Sequence, residues 1–169
     1  MRPATTATHA ACASDAHTGS IVPPIYQTST YQQQGIGDHK GFIYTRTGNP
    51  SRSLLEESLA AIEGAEHALC FASGMAAINT VAQTLKSGDH VLCPASVYGG
   101  TFRLLSNVYD RFGIDVSFVD LADVEAVKAS LRPNTAVLWL ETPTNPLLGV
   151  CDIAQLAAFA RERGILSVV

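Results

Sequence analysis

A turn of three residues, Ser73-Gly74-Met75, separates an apolar run at 68–72 from a helical pattern that continues to Leu85. The apolar run predicts a buried strand, so the turn would leave unpaired backbone N–H groups at the start of a helix. Those amides and the positive end of the helix dipole favour a bound anion such as phosphate, and Gly74 lets the backbone approach it closely. An ordinary strand–helix turn has the same pattern, so this interpretation needs support from elsewhere in the chain.

A second set of donors lies in the long loop at 32–50. Loops of this length without secondary structure are usually functional or disordered. Tyr44 and Arg46 are two residues apart, so in an extended segment their side chains leave the same face. A guanidinium fork beside a phenol would bind a phosphate group well. A solvated arginine next to a packed aromatic ring is the structural alternative.

Three more polar or aromatic residues, Tyr98, Glu141 and Asn145, each follow a predicted strand. Ligands of open α/β sheets bind beyond the carboxyl ends of the strands, where these residues would lie. Taken singly, they fit a packed aromatic ring, a solvated carboxylate and a turn former. Together with the amides at 73–75 they favour a site for a flat, phosphorylated cofactor.

The elements that position these residues alternate between strand and helix five times from residue 65 onward. This alternation predicts an α/β fold in three layers, with a mostly parallel sheet and helices on both of its faces. The predicted strands are 68–72, 90–93, 113–119, 135–140 and 165–169. The predicted helices are 50–63, 75–85, one that follows the segment 96–101 and ends at about Tyr109, 123–131 and 153–163.

The part of the chain before the sheet is predicted to be mostly irregular. Residues 1–22 lack periodicity and predict an extended arm, and 25–31 predict a short extended piece. We therefore expect an arm and loop at 1–50 and a partial α/β domain at 51–169. The apolar stripe that predicts the buried face of the first helix is Leu54, Leu55, Leu59 and Ile62.

Composition narrows the class of protein. The 169 residues, 47% hydrophobic and 15% charged, suffice for one globular domain with a hydrophobic core. A net charge of −4 gives no electrostatic basis for binding nucleic acid or an anionic membrane. No membrane-spanning run or secretory pattern occurs, so we expect a cytoplasmic protein. The four cysteines lack CxxC spacing and the five histidines lack an i,i+4 pair, so we expect no metal, with Cys70 and Cys93 as buried thiols.

Five stretches are long enough for a specific comparison: TGSIVPPIYQTSTY (18–31), HKGFIYTRTGNPSRSLLEESLAAIEGA (39–65), FASGMAAI (71–78), VYGGTFRLL (97–105) and ETPTNP (141–146). In content and order they resemble the Cys/Met-metabolism family of pyridoxal-phosphate enzymes, the cystathionine γ-synthase and γ-lyase group. The resemblance covers nearly the whole chain. It implies fold type I of the pyridoxal-phosphate-dependent transferases, with only the N-terminal part of the large domain present.

The resemblance implies pyridoxal 5'-phosphate as the cofactor and assigns a role to each matching residue. Gly74 and Met75, beside Ser73, would bind the phosphate through backbone N–H groups. Tyr98 would stack on the pyridine ring and act in catalysis. Asn145 would donate a hydrogen bond near the ring hydroxyl.

Other implied contacts involve the substrate and a second subunit. Tyr44 and Arg46 would reach the phosphate in the neighbouring subunit of a homodimer or homotetramer with shared active sites. Arg103 would help to hold the amino-acid substrate. Glu141 belongs to the matching motif, and we predict that it is a substrate-binding residue as well.

The implied activity is that of a lyase or transferase of transsulfuration, acting on a sulfur amino acid by γ-elimination or γ-replacement. The residues do not separate γ-synthase from γ-lyase. O-acetylhomoserine sulfhydrylase, disfavoured by Arg103, and methionine γ-lyase, which tends to carry Cys at the position of Gly100, are alternatives in the family. A non-catalytic interaction or phosphate-binding module is the alternative of another class, although GxGxxG and GxxxxGK[ST] are both absent.

None of the three lysines, Lys40, Lys86 and Lys128, matches the family's Schiff-base lysine. That lysine belongs to a Ser-x-Thr-Lys segment that would follow residue 169. We therefore expect an N-terminal fragment that binds the cofactor weakly and non-covalently and that is inactive alone.

Overall fold

The computed structural model describes residues 2–10 and 14–169. The chain divides into two compact units, residues 1–71 and residues 72–169. Cys12 and a part of the predicted extended arm lie outside the described residues. In the described part of the chain, no helix is long and apolar enough to cross a membrane.

The main helix of the first unit, α2 (Pro50–Glu63), begins and ends where the sequence predicts. Asn49 caps its first turn, because the side-chain oxygen accepts a hydrogen bond from the Ser51 N–H at 2.9 Å. Gly64 ends the helix in the left-handed region, with φ of 65°. The buried Asn49 amide also donates to the carbonyl of Tyr26 at 3.1 Å, which fixes the start of α2 to the preceding segment.

A short helix, α1 (Pro3–His9), lies within the segment that we predicted to be an extended arm, so that prediction is wrong for these residues. Pro3 suits a first helical turn because no N–H donor is needed there. The Ser58 hydroxyl of α2 donates to the carbonyl of Ala10 at 3.0 Å and holds the end of α1. A seven-residue helix held by such a contact leaves little periodicity in the sequence.

Two apolar segments are more exposed than predicted. Residues 68–72 form no strand in the described chain, and Leu69 is 73% exposed. The Cys70 N–H donates to Glu56 Oε1 at 2.9 Å instead of to a neighbouring strand. A periodic pattern identifies an apolar face, whereas burial also requires an element that covers it. The members of the α2 stripe that are exposed are Leu55, Leu59 and Ile62.

The second unit contains a four-stranded parallel sheet in the order β2-β1-β3-β4. Four of the five predicted strands are therefore present, and all pairings are parallel as predicted. The strands are β1 (His90–Pro94), β2 (Asp115–Val119), β3 (Thr135–Trp139) and β4 (Leu166–Val168).

Helices connect the strands, as parallel crossovers require. The segment predicted as one helix after β1 starts as an α-helix and continues through a π-helical turn at Leu104–Val108 and a 3-10 turn at Tyr109–Phe112. The α-helices of this unit are α3 (Gly74–Ala82), α4 (Gly99–Arg103), α5 (Val124–Ser130) and α6 (Ile153–Glu162).

Successive residues of each strand pack on opposite faces of the sheet. Val91 and Cys93 join a buried cluster with Leu105, which lies in the helical run after α4, and with residues of α3. Leu92 joins a second cluster with Leu156 and other residues of α5 and α6. Helices therefore cover both faces, which confirms the three-layer α/β fold. Cys93 is buried as predicted, whereas Cys70 is only half-buried.

Candidate active site

The start of α3 offers open backbone donors. Ser73 caps the helix, because its Oγ accepts a hydrogen bond from the Ala76 N–H at 3.1 Å. The N–H groups of Gly74 and Met75 have no acceptor among the described residues. Gly74 is exposed, and a Cβ built on it meets no atom within 4 Å. Two unpaired amides at the positive end of a helix make this turn suitable for an anion.

The loop after β1 carries Tyr98, which directly precedes α4 and is 50% exposed. Its N–H donates to Glu141 Oε2 at 2.8 Å, and its carbonyl accepts from the Phe102 N–H at 3.0 Å. Glu141 follows β3, and β3 pairs with β1 in parallel. The structure thus brings Tyr98 and Glu141 together at the carboxyl edge of the sheet, where the sequence predicted both.

Gly100 lies beneath the Tyr98 side chain. A Cβ built on Gly100 would overlap the Tyr98 ring and lie 2.6 Å from Met75 Sδ. Because Gly100 has no side chain, the aromatic ring of Tyr98 and the thioether of Met75 can both approach its backbone. Since Met75 also belongs to the open turn of α3, the turn and the aromatic ring are parts of one site.

Asn145 and Arg103 lie at the same edge but make fewer contacts. Asn145 is exposed, and the loop that carries it is held by the buried Thr144, whose Oγ1 accepts from the Gly149 N–H at 3.0 Å. Arg103 is exposed at the end of α4, with Nη1 3.3 Å from the position of a Cβ on Gly99. Among the described residues it has no acidic partner, so its charge is available to an anion.

Tyr44 and Arg46 belong to the first unit. The Arg46 guanidinium carbon lies 5.0 Å from the centroid of the Tyr44 ring, so the two side chains are neighbours, as their spacing predicts. The Thr45 N–H between them donates to the Ser29 carbonyl at 2.9 Å, which gives this segment a local antiparallel partner. Their role toward a phosphate stays a prediction.

The thiols near the sheet edge are poor nucleophiles. Burial, and secondarily the charge of Glu141, raises the pKa of Cys93 to about 12. Burial also raises the pKa of Cys151, which lines a cavity of about 340 Å³ together with Asp120, Glu141 and Thr144. The raised pKa values favour the protonated form of both thiols, which is the less nucleophilic form.

Sequence reasoning missed two features of this site. The hydrogen bond from Tyr98 to Glu141 joins residues 43 positions apart, so no local sequence pattern predicts it. The packing over Gly100 had a sequence signal in the Gly99-Gly100 pair directly after the aromatic residue, since glycine often marks a close approach.

The sequence comparisons agree with the geometry. Residues 4–169 match the family model of the Cys/Met metabolism PLP-dependent enzymes. A probable cystathionine gamma-synthase of Herpetosiphon aurantiacus is 52% identical over 166 residues, which are 98% of this chain and 52% of that protein. The cystathionine beta-lyase MetC of Bacillus subtilis strain 168 is 45% identical over 153 residues, 90% of this chain and 39% of that protein.

A solved structure has the same fold. The crystal structure of cystathionine gamma-lyase from Lactobacillus plantarum, complexed with L-serine, matches with a TM-score of 0.92 at 44% identity. The match covers 99% of this chain and 44% of that one, so the chain spans about half the length of its relatives or less. The chain belongs to the Cys/Met metabolism family of pyridoxal-phosphate-dependent enzymes.

Proposed function

We propose that this chain provides the phosphate-binding and ring-stacking part of a transsulfuration enzyme that acts on sulfur amino acids by γ-elimination or γ-replacement. The observation that carries the proposal is the joint position of the open α3 amides and the Tyr98 ring over Gly100. Relatives that are named cystathionine gamma-synthase and gamma-lyase support the reaction class.

The donor set fits pyridoxal 5'-phosphate. The turn at 73–75 presents N–H donors and no carboxylate, which suits a phosphate dianion. The half-exposed ring of Tyr98 offers an aromatic surface for a flat heterocycle. The backbone donors for the phosphate and the aromatic face for the ring lie near each other, since Met75 and the Tyr98 ring both lie close to Gly100. This arrangement matches the phosphate end and the ring end of the cofactor.

When bound, this cofactor supplies an electron sink for reactions at the carbons of an amino acid. In our proposal Gly74 and Met75 bind its phosphate, and Asn145 orients its ring. Tyr98 holds the ring and moves a proton at its phenolic oxygen. Arg103 binds the carboxylate of the amino-acid substrate, for which an unpaired guanidinium fork is well suited.

The phosphate would receive further donors from a second subunit. Tyr44 and Arg46 lie side by side with the guanidinium near the phenol, and neither has a carboxylate partner among the described residues. We propose that they serve the neighbouring active site of a homodimer or homotetramer.

A second candidate reaction is β-elimination from cystathionine. It is favoured by the 45% identity to the beta-lyase MetC of Bacillus subtilis, which is not far below the identity to the gamma-synthase. The site residues described above serve either reaction, because both start with proton removal beside the amino group.

The cofactor site is tested by ligand binding to the 169-residue chain. Pyridoxamine 5'-phosphate is the probe, because it has no aldehyde that would link to surface lysines. We expect it to shift the amide NMR signals of Gly74 and Met75 and those of Tyr98. Inorganic phosphate should shift the first two signals only. Saturating probe without any change at 74 and 75 would overturn the proposed site.

The reaction class is tested with a chimera that joins residues 1–169 to the segment of the Herpetosiphon relative that follows the matched region. We expect the loaded chimera to form cystathionine from an activated homoserine and cysteine, or to release 2-oxobutanoate from cystathionine. Pyruvate as the product would establish β-elimination instead. A folded, cofactor-loaded chimera without turnover, beside an active parent enzyme, would refute the transsulfuration proposal.

A further inference from the structure

The Glu141 carboxylate bonds to the protein backbone at the site edge. Its Oε2 accepts the Tyr98 N–H at 2.8 Å, across neighbouring strands β1 and β3. A hydrogen bond from an amide to a carboxylate is stronger than one between neutral groups. One carboxylate oxygen of Glu141 is therefore already engaged when no ligand is bound.

The loop that carries Tyr98 depends on such anchors. It joins the end of β1 to the start of α4 in four residues, and its first amide, that of Ala95, donates to the Val119 carbonyl at 2.8 Å. At its other end, Tyr98 has no side-chain cap for α4. Among the residues that the structure describes, the Tyr98 N–H donates only to Glu141, and the Tyr98 carbonyl accepts from the Phe102 N–H. The position of the Tyr98 backbone therefore depends partly on Glu141.

The position of the Tyr98 backbone also affects where the Tyr98 ring lies relative to the rest of the site. Because the ring and Met75 Sδ both lie close to Gly100, a shift of the Tyr98 backbone changes the position of the ring relative to the thioether of the α3 turn. The distance between the aromatic face of Tyr98 and the open amides of α3 therefore depends partly on Glu141, which follows the neighbouring strand β3.

We propose that Glu141 is a positioning residue, which fixes the aromatic face of Tyr98 through the Tyr98 amide and does not contact the substrate. This inference rests on the proposed function, since it concerns the residue that would stack on the cofactor. It differs from the sequence-based prediction, which groups Glu141 with Arg103 as a substrate-binding residue. The cavity that Glu141 also lines gives that rival role a location.

Two substitutions separate the roles without any ligand. Glu141→Gln keeps a side-chain oxygen that accepts the Tyr98 N–H, whereas Glu141→Ala removes it. In the ligand-free chain we expect hydrogen exchange of the Tyr98 amide to accelerate at least about tenfold in Glu141→Ala and by no more than about threefold in Glu141→Gln. Glu125→Ala is the matched control, because Glu125 is 81% exposed on α5 and pairs with Lys128. Unchanged exchange in Glu141→Ala would overturn the proposal.

A double-mutant cycle then tests whether Glu141 influences ligand binding only through Tyr98, with pyridoxamine 5'-phosphate as the probe. We expect Glu141→Ala to weaken binding about tenfold and Glu141→Gln about threefold or less. In a Tyr98→Ala background, Glu141→Ala should cause no further loss, because the residue acts only through Tyr98. An equal, additive loss in that background would show a direct contact and refute the positioning role.

The two proposals fail in different ways. Absence of probe binding to the wild-type chain refutes the cofactor site, while the exchange rate of the Tyr98 amide still decides the role of Glu141. Should Glu141→Ala unfold, Glu141→Gln carries the test: a loss of binding above tenfold in a folded Glu141→Gln chain would mean that the charge contacts a ligand, which contradicts our inference.

Discussion

The two ends of the parallel sheet use their polar groups in different ways. At the carboxyl edge, the Gly74 and Met75 amides have no acceptor among the described residues, and Tyr98 is half-exposed. At the amino edge, His90 is fully buried and its Nδ1 lies 2.7 Å from Thr135 Oγ1. The carboxyl edge keeps backbone donors available for a ligand, whereas at the amino edge the buried His90 and Thr135 pair with each other, and only His90 Nε2 among their described side-chain polar atoms has no partner.

At the amino edge, a chain of polar contacts links the three strands β1, β2 and β3. Thr135 Oγ1 accepts the Arg132 N–H at 2.8 Å, and the Arg132 guanidinium reaches Asp115 at 3.1 Å and Ser117 at 2.8 Å. This comparison implies a division of effects. Substitutions at the carboxyl edge should change ligand binding or turnover with little change in stability, and those at the amino edge should do the reverse.

The largest effect is expected for Tyr98→Phe, measured in the chimera. The variant keeps the aromatic face but loses the phenolic oxygen that we propose moves a proton. We expect turnover to fall by about 10² or more, the usual contribution of a general acid or base. Cofactor affinity should change by no more than about threefold, because the ring is retained. Equal turnover of both proteins would remove Tyr98 from the catalytic role.

Gly100→Ala tests whether the ring position matters for binding. The new Cβ would overlap the Tyr98 ring and lie 2.6 Å from Met75 Sδ. The half-exposed ring can turn toward solvent, and the flexible thioether can change its rotamer. We therefore expect a change of about 1 kcal/mol or less in the free energy of unfolding, with affinity for pyridoxamine 5'-phosphate about tenfold lower. Gly35→Ala is the control, since its Cβ meets only Asp38 Cβ at 4.0 Å. Unchanged affinity would contradict the shared site of ring and amides.

Thr135→Val tests whether a substitution at the amino edge lowers stability without changing ligand binding. The variant keeps the shape of the side chain but leaves the Arg132 N–H and His90 Nδ1 without their partner. We expect the free energy of unfolding, measured by urea denaturation, to fall by about 1–3 kcal/mol. Probe affinity should stay within twofold. Thr80→Val is the control, because the Thr80 hydroxyl is exposed and bonds only to its own helix.

The sequence predicted those features of the site that local chemistry determines. The open amides after Ser73 follow from residue types over a few positions, and the parallel pairing of the strands follows from the regular alternation of strand and helix. The neighbouring side chains of Tyr44 and Arg46 follow from their i,i+2 spacing. Such features depend on backbone geometry, which short patterns describe well.

Features that depend on a distant partner were predicted poorly. Residues 68–72 have the composition of a strand, but the described chain provides no neighbour to pair with it. Leu55 of α2 has helical spacing but no covering element. The bond from Tyr98 to Glu141 joins two correctly predicted strand ends, yet its direction depends on side-chain geometry that spacing does not specify.

The smallest expected effect concerns the pH dependence of stability at the amino edge. Burial, and then the positive charge of Arg132, lowers the pKa of His90, while Asp115 opposes this shift. The folded chain therefore binds this proton less readily than the unfolded chain does. Stability from the neutral ring is complete above about pH 6.5, the ordinary histidine value, and is lost as the pH falls through the lower folded pKa.

His90→Asn isolates this contribution, because the asparagine amide replaces Nδ1 as a partner of Thr135 and does not titrate. Between the two pKa values the free energy of unfolding of the wild type should fall by up to about 1.4 kcal/mol per pH unit relative to the variant. Urea denaturation from pH 7.5 to pH 4.5 measures the difference, and the other histidines cancel because both proteins contain them. Parallel stability curves would mean that His90 accepts a proton as easily in the folded chain as in the unfolded one, which would contradict the pKa decrease expected from the burial of its ring.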